Sequence, residues 1–180
     1  MEKFEIKKIK LIIGLGNPGQ KYYKNRHSIG FRIIEELANK FGGSWKSKDK
    51  MEYAQIPLNL DESIHSIYLV KPQTFMNASG EVLPSFTKKG IKPDQILVIH
   101  DELEKDFGKI SIRLGGSARG HNGLRSIIGM IGPDFWRLRF GVGRPEEKSQ
   151  VSNYVLSNFT SEQEALLSEL IQKSVYEFLM

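Results

Sequence analysis

The stretch Leu11–Gly30, LIIGLGNPGQKYYKNRHSIG, constrains the fold of this 180-residue chain more than any other. It begins as an apolar strand, breaks at glycines and a proline, and continues through a polar loop to His27. A helical pattern follows directly, with apolar residues at Ile29, Ile33, Ile34, Leu37 and Phe41. A strand that ends in glycines and delivers a polar side chain just before a helix is a common way to build a site on an α/β sheet. We therefore predict that His27 lies at a functional site.

An alternative interpretation of the same stretch is a dinucleotide-binding loop, because residues 14–19 match the pattern G-x-G-x-x-G. That loop needs a helix to begin within the glycine turn, so that its amides meet the pyrophosphate. Pro18 pushes Asn17 out of the helical region, and residues 20–25 show no apolar periodicity. The acid expected about 20 residues further on should end a second strand, whereas Glu35 and Glu36 lie inside an amphipathic helix. Dinucleotide binding remains the weaker alternative.

The composition excludes several classes of protein. The hydrophobic content of 39% and charged content of 26% are ordinary for a globular protein, and the length predicts a single domain over residues 1–180. No apolar run approaches the roughly 18 residues that cross a membrane. The chain has no cysteine, which excludes disulfides, thiolate zinc sites and thiol nucleophiles. The N-terminal sequence MEKFEIKKIK has no apolar signal core, so we expect a cytoplasmic protein.

The positive charge of the chain is concentrated in residues 105–148. This segment holds nine Lys or Arg residues against four acidic ones, whereas the rest of the chain is neutral. Six of the nine are Arg, and they stand beside a glycine-rich loop at residues 115–120. A solvated basic face would also explain the excess, but Arg beside glycine loops favours a phosphate-binding surface. The sequence thus predicts a polyanionic partner.

The remaining patterns predict an α/β fold with a mixed, largely parallel, twisted sheet flanked by helices. Residues 94–100 form a β-branched run without alternation, which is typical of a strand in the middle of a parallel sheet. Residues 136–142 alternate, with Arg137 and Arg139 on one face. Other strands are predicted over residues 6–15, 53–58, 63–70 and 109–113, and a loop over 44–51. Helices are predicted over 28–41, through Lys89 after a lead-in at 73–80, and from 121 and 160 onward.

Polar side chains occur where these strands give way to loops or helices. They are Asn17, His27, Asn77, Asp101 and, after the glycine loop, Asn122. A histidine oriented by a carboxylate is a general base, and carboxamides can donate to a carbonyl oxygen without adding charge. The chain has no cysteine and no serine in a G-x-S-x-G turn, so attack by an activated water is expected rather than a covalent intermediate. The His and carboxylate positions show no metal-ligand spacing, and we expect neither a metal nor another cofactor.

Four motifs in this order resemble the bacterial peptidyl-tRNA hydrolase family over nearly the whole chain. They are GLGNPGQKYYKNRHSIGF at 14–31, KPQTFMNASG at 71–80, ILVIHDEL at 96–103, and LGGSARGHNGLRSI with RLRFGVGRP at 114–127 and 137–145. The resemblance implies hydrolysis of the ester that joins a peptide to the 3′ ribose of tRNA, which recycles peptidyl-tRNA lost by ribosomes. The implied partner is peptidyl-tRNA, contacted at its acceptor stem and CCA end by a monomer that binds neither metal nor membrane.

The resemblance also implies roles for individual residues. His27 would be the catalytic base and Asp101 its orienting partner, while Asn17, Asn77 and Asn122 would position the substrate, the water and the oxyanion. The implied contacts with the substrate and its tRNA are Tyr22, Met76, Gly120, Arg113 and Arg139. Arg113 and Arg139 fall where the family holds the 5′-phosphate end of the tRNA, and their alternating strands predict that both side chains point to solvent.

Three positions depart from the family pattern. Ser28 follows the histidine where the family usually has Asn, Arg119 replaces a usual Gly, and residues 103–107 lack a usual Leu-Pro. None of these departures removes a catalytic group. A rival from another class, a non-catalytic RNA-binding relative on the same fold, would need the basic surface but not the five polar residues together.

Overall fold

A seven-stranded sheet forms the centre of this computed structural model, which describes residues 2–179. The strands are β1 (Leu11–Gly14), β2 (Lys46–Lys48), β3 (Met51–Leu60), β4 (Ser63–Pro72), β5 (Ile96–Glu102), β6 (Ile110–Leu114) and β7 (Trp136–Gly141). Their order in the sheet is β2-β3-β4-β1-β5-β7-β6. The central strands β4, β1, β5 and β7 are parallel, whereas β2, β3 and β6 pair antiparallel at the two edges. The prediction of a mixed, largely parallel α/β sheet is confirmed.

Helices cover both faces of the sheet. The α-helices are α1 (Gln20–Tyr23), α2 (Ile29–Lys40), α3 (Pro84–Thr87), α4 (Asn122–Ile131), α5 (Val151–Val155) and α6 (Ser161–Leu179). Successive residues of β1 point to opposite faces, so Ile12 joins one hydrophobic cluster with α2 and α6. Leu11 and Ile13 join a second cluster with α3 and α4. The result is a three-layer arrangement with the sheet buried in the middle.

Three predicted boundaries are wrong, each for a local reason. Residues 6–15 are not one strand, because Ile6–Lys8 form a 3₁₀ turn and the strand begins at Leu11. Residues 44–51 are not only a loop, since Lys46–Lys48 pair with β3 as an edge strand whose exposed side chains give no alternation. The helix predicted to run through Lys89 after the lead-in at 73–80 is only the short α3, which begins at Pro84 and ends at Thr87, and the lead-in contains a 3₁₀ segment, Met76–Val82.

Two glycines let the end of β1 and the start of α2 come together. A Cβ on Gly30 would lie 2.5 Å from the carbonyl oxygen of Ile99 and from the backbone nitrogen of Leu15. A Cβ on Gly14 would lie 2.4 Å from the carbonyl oxygen of Gly30. Only residues without a side chain allow this backbone contact. It places the turn just before α2, which carries His27, over the ends of β1 and β5.

No helix within residues 2–179 combines the length and the apolar character that crossing a membrane requires.

Candidate active site

His27 and Asp101 are the centre of the candidate site. His27 lies in the 3₁₀ turn Arg26–Ser28 directly before α2, and Asp101 lies near the end of β5. The Nδ1 atom of His27 is 2.9 Å from Oδ1 and 3.0 Å from Oδ2 of Asp101. Both residues are largely buried, with 9% and 3% of their surface exposed. Because Nδ1 faces the carboxylate, Nε2 of His27 is the nitrogen left to accept a proton.

Two opposing effects set the charge of each partner. Burial alone would raise the pKa of Asp101, but the imidazoles of His27 and His121 outweigh it and hold that pKa well below the ordinary 3.8. Burial alone would lower the pKa of His27, but the Asp101 carboxylate outweighs it and raises that pKa above the ordinary 6.5. Asp101 is therefore ionised at neutral pH, and His27 is a stronger base than a free imidazole.

The turn that carries His27 is anchored by its neighbour Arg26, which is only 5% exposed. The Arg26 guanidinium donates to Oγ of Ser157 at 2.6 Å and to the carbonyl of Asn158 at 2.8 Å. It also lies over the ring of Tyr154, 4.1 Å from the centroid. These contacts fix the turn against the connection between α5 and α6, so the position of His27 depends on residues more than 100 positions away.

His121 is a site residue that the sequence analysis missed. Its Nε2 is 2.9 Å from Oδ1 of Asp101, on the same carboxylate that contacts His27. Its Nδ1 accepts hydrogen bonds from the backbone N–H groups of Gly123 and Leu124, at 3.1 and 3.3 Å, and thereby caps α4. The available signal was its place directly before a helix, but histidine is not among the usual capping residues.

His100, next to Asp101 in β5, completes a group of three histidines. The side chain is buried, and its Nδ1 donates to the backbone carbonyl of Asp101 at 2.7 Å. Burial lowers the pKa of His100 to about 3. His100 is therefore neutral at any physiological pH and cannot compete with His27 for a proton.

Asn17 connects the His27 turn to the segment before α3. The backbone N–H of Asn17 donates to Oγ of Ser28 at 3.2 Å, and its side-chain Oδ1 accepts from the backbone N–H of Met76 at 2.8 Å. Ser28 is fully buried, so this departure from the family pattern supplies a structural contact. Since its oxygen is occupied, Asn17 presents its amide NH₂ as the free hydrogen-bonding group.

Asn122, Asn77 and Tyr22 lie in more open positions. Asn122 is the first residue of α4 and is exposed, and its Oδ1 accepts from the guanidinium of Arg125 at 3.0 Å. As in Asn17, the side-chain oxygen is occupied and the amide NH₂ is the group left to donate a hydrogen bond. Asn77 is exposed in the 3₁₀ segment that follows β4. Tyr22 packs edge-on against the exposed ring of Phe75, with centroids 6.2 Å apart.

A cavity of about 360 Å³ opens beside His27, within the range of roughly 300–1,000 Å³ of small-molecule sites. Six of the ten predicted site residues line it: His27, Asp101, Asn122, Gly120, Arg113 and Arg139. The other four do not line it: Asn17, Asn77, Tyr22 and Met76. The structure therefore divides the predicted residues into a cavity group and a neighbouring group, which are joined through the contact between Asn17 and Ser28.

Arg137 does not point to solvent, although the alternation of β7 placed it on the same polar face as Arg139. It is 3% exposed, and its guanidinium donates to the carbonyls of Ser117 (2.7 Å), Pro133 (3.3 Å) and Gly116. Burial lowers the pKa of Arg137 to about 10, which still leaves it charged at neutral pH. Alternation identified the face correctly, but it could not show that the glycine loop covers this face.

Arg113 and Arg139, which the alternation of their strands predicted to point to solvent, are only partly exposed and form part of the cavity wall. The Arg139 side chain is 19% exposed, donates from Nε to Oγ of Ser111 at 3.2 Å, and lies 3.8 Å from the Glu102 carboxylate. Arg113 is half-buried on the adjacent antiparallel strand β6. Further basic side chains in the wall are Arg119, Arg144 and Lys148. The cavity is therefore positively charged next to the imidazole of His27.

His27, Asp101 and His121 each offer one potential metal ligand, and these atoms lie within 4.8 Å of one another. No metal-ligand spacing is visible in the sequence, because the three residues come from separate elements. A metal on Nε2 of His121 would require the proton of the neutral ring to move to Nδ1. That nitrogen already accepts from two backbone N–H groups, so the group is better suited to hydrogen bonds than to a metal ion.

The chain is similar in sequence to a known family over nearly its whole length. Residues 11–179 match the family model for peptidyl-tRNA hydrolase. The peptidyl-tRNA hydrolase of Fervidobacterium nodosum is 44% identical over 161 residues, which cover 89% of this chain and 82% of the relative. That of Dichelobacter nodosus is 46% identical and covers 82% of this chain and 78% of its own length.

The fold is also that of solved members of the family. The crystal structure of peptidyl-tRNA hydrolase from Acinetobacter baumannii superposes with a TM-score of 0.88 at 38% identity, covering 98% of this chain and 89% of the other. The resemblance inferred from the four motifs is confirmed by both sequence and structure. The chain belongs to the peptidyl-tRNA hydrolase family of hydrolases.

Proposed function

We propose that this protein hydrolyses the ester between a peptide, or an N-blocked aminoacyl group, and the 3′ ribose of tRNA, and so recycles peptidyl-tRNA released from ribosomes. The observation that carries the proposal is the pair of His27 and Asp101 in the wall of a basic cavity, with Nδ1 of His27 2.9 Å from Oδ1 of Asp101. Relatives that are 44% and 46% identical carry the name of this activity.

Water is the nucleophile in this reaction. Nε2 of His27 removes a proton from the water as its oxygen attacks the ester carbonyl, and Asp101 stabilises the imidazolium that forms. The tetrahedral intermediate then breaks the bond to the 3′ oxygen of the ribose, which takes the proton back from His27. The products are a peptide with a free carboxyl group and a tRNA with a free 3′ hydroxyl.

Carboxamides serve as the neutral donors of the site. Asn17 and Asn122 both use their side-chain oxygens in contacts within the protein, so their NH₂ groups are free to donate to a carbonyl oxygen or an oxyanion. We assign the same class of role to Asn77, with the attacking water or the substrate as its partner. Tyr22 and Met76 receive the terminal adenosine and the adjoining peptide.

The basic cavity wall binds the nucleic acid. Arg113 and Arg139 contact the phosphate at the 5′ end of the acceptor stem, because guanidinium groups match phosphate oxygens in charge and geometry. Gly120, in the loop above them, lets the tRNA backbone approach closely. The CCA end then extends from this phosphate site toward His27.

The proposed enzyme is a cytoplasmic monomer that requires neither a metal nor a cofactor. A single chain supplies the base, its orienting carboxylate, the neutral donors and the basic wall, so the site needs no second subunit. The capping contacts of His121 Nδ1 support the metal-free mechanism, since they fix a tautomer whose Nε2 carries a proton.

Incubation with N-blocked aminoacyl-tRNA tests the proposal directly. We expect release of free tRNA by the wild-type protein and no detectable release by His27→Ala at the same concentration. Unblocked aminoacyl-tRNA is the matched substrate control for general esterase activity. Failure of the folded wild-type protein to cleave the blocked substrate would refute the proposed function.

A further inference from the structure

His121 is fixed in one tautomer by contacts at both of its ring nitrogens. Nδ1 accepts from the backbone N–H groups of Gly123 and Leu124, so this nitrogen carries a lone pair and no proton. The proton of the neutral imidazole is then on Nε2, which lies 2.9 Å from Oδ1 of Asp101 and donates to it. The side chain is 10% exposed, so solvent does not compete strongly for either contact.

Asp101 therefore accepts hydrogen bonds from two imidazoles at once. Its side chain is 2% exposed, and its Oδ1 is 2.9 Å from Nδ1 of His27 and 2.9 Å from Nε2 of His121. The two donors divide the negative charge of one carboxylate between them. Because the hydrogen bond from His121 already stabilises part of the carboxylate charge, Asp101 stabilises a protonated His27 less than it would alone.

Within residues 2–179, no other side chain takes the place of His121 as a second donor to Asp101. On β5, His100 is neutral and donates to the Asp101 backbone carbonyl, whereas Glu102 lies 3.8 Å from Arg139. On β7, Arg137 is bonded to backbone carbonyls of the glycine loop. Among the described residues, the imidazoles of His27 and His121 are the two groups that hydrogen-bond to the Asp101 carboxylate.

We propose that His121 is a positioning residue that orients the Asp101 carboxylate through its Nε2 proton and thereby sets the pH above which His27 acts as a base. The same residue caps α4 through Nδ1, so the start of this helix, where Asn122 stands, and the catalytic pair share one rigid support. The role in the reaction rests on the proposed function. The protonation state of His27, Asp101 and His121 does not depend on that function, and it can be measured without substrate.

His121→Asn separates the two contacts. An Asn side chain caps a helix well, but it is too short to reach Asp101 while it accepts from the helix amides. The variant should keep the stability of α4 and lose only the donor to Asp101. His121→Ser is a second capping variant with the same expected effect, and His65→Asn, on the distant β4, is the matched control for loss of a histidine.

The first measurement is an NMR titration of ¹⁵N-histidine-labelled protein without substrate. In the wild type we expect His121 to show the Nε2–H tautomer. In His121→Asn the pKa of His27 should rise by about half a unit to one unit. The lost hydrogen bond corresponds to about one to two pKa units of stabilisation of the carboxylate, and the interaction of that carboxylate with protonated His27 recovers part of it. His65→Asn should leave the His27 titration unchanged.

The second measurement is kcat/KM for N-blocked aminoacyl-tRNA as a function of pH. The acidic limb should move to higher pH in His121→Asn by the same amount as the NMR titration. An unchanged or lowered His27 pKa, or a wild-type His121 protonated on Nδ1, would overturn the inference whatever the activity. A shifted His27 pKa in a protein that does not cleave the ester would overturn only the proposed function.

Discussion

Asp101→Asn removes the negative charge of the His27–Asp101 pair with little change in shape. The oxygen of the new carboxamide can stay where Oδ1 is, 2.9 Å from Nδ1 of His27 and 2.9 Å from Nε2 of His121. Both imidazoles can therefore still donate to that oxygen, whereas the new NH₂ group takes the place of Oδ2, 3.0 Å from Nδ1 of His27, and removes one acceptor from it. The effect of the substitution should come from charge rather than from a displaced side chain.

The structure determines the direction of the resulting pH shift. In the wild type, burial lowers the His27 pKa, and the Asp101 carboxylate outweighs burial and raises it above 6.5. In the variant the charge of the carboxylate is lost while burial still lowers the pKa, so the His27 pKa should fall below its wild-type value. A general base is active when deprotonated, so the acidic limb of kcat/KM should move to lower pH.

The rate loss can be bounded from the same contacts. A hydrogen bond to a charged group contributes about 1.5–3 kcal/mol and a neutral one about 0.5–1.5 kcal/mol. The difference of about 1–1.5 kcal/mol corresponds to roughly a tenfold loss. Complete loss of a general base lowers the rate on the order of 10²- to 10⁴-fold. The rate loss in Asp101→Asn should therefore lie between about tenfold and this larger loss.

The assay is kcat/KM for N-blocked aminoacyl-tRNA across the pH range, with the His27 pKa measured separately by NMR. The loss should be largest at high pH and smaller at low pH, where more of the variant's His27 is deprotonated than in the wild type. An acidic limb that stays in place or moves to higher pH would falsify the assignment of Asp101 as the group that raises the His27 pKa.

Three further predictions concern the base, the absence of a metal and the basic wall. His27→Ala should lower kcat by on the order of 10²- to 10⁴-fold, and normal turnover would exclude His27 as the base. The thermal unfolding temperature should also fall, because the buried Asp101 carboxylate loses one of its two imidazole partners. Treatment with EDTA, followed by magnesium to keep the tRNA folded, should leave activity intact, and a loss that only zinc restores would contradict the metal-free mechanism. Arg139→Ala should raise KM for the full-length substrate by a factor that corresponds to at most about 1.5–3 kcal/mol, the contribution of a charged hydrogen bond. It should also make binding of this substrate less dependent on salt concentration. Arg139→Ala should leave cleavage of N-blocked aminoacyl-adenosine unaffected, and the exposed control Lys88→Ala should cleave both substrates normally. Equal impairment of Arg139→Ala on both substrates would place Arg139 in the catalytic centre or the core.

The α/β class was predictable because the central strands carry strong local signals. β5 is a buried β-branched run, and the glycine turn after β1 leads into an amphipathic α2. The predictions failed where tertiary contacts replace such signals. The edge strand β2 exposes all three side chains and is defined only by its pairing with β3.

The chemical residues of the site were also visible in the sequence, whereas most of the residues that orient them were not. Asp101 lies near the end of a buried strand and His27 just before a helix, so their proximity follows from the ends of parallel strands meeting at one edge of the sheet. His121 contacts Asp101 only because the start of α4 lies beside the end of β5. Arg137 likewise faces the cavity side of β7, but the glycine loop covers it and occupies its donors.

His27 is supported both by a contact within its motif and by a contact with a distant part of the chain. The turn is held by Ser28, which binds a residue 11 positions away, and by Arg26, which binds the carbonyl of Asn158, 132 positions away. The buried hydroxyl of Ser28 accepts from the Asn17 backbone, a contact that needs only an oxygen at this position. The chain can therefore depart from the family's usual Asn here without losing the link between the loop of Asn17 and the turn of His27, because this contact depends on the acceptor atom rather than on the residue that supplies it.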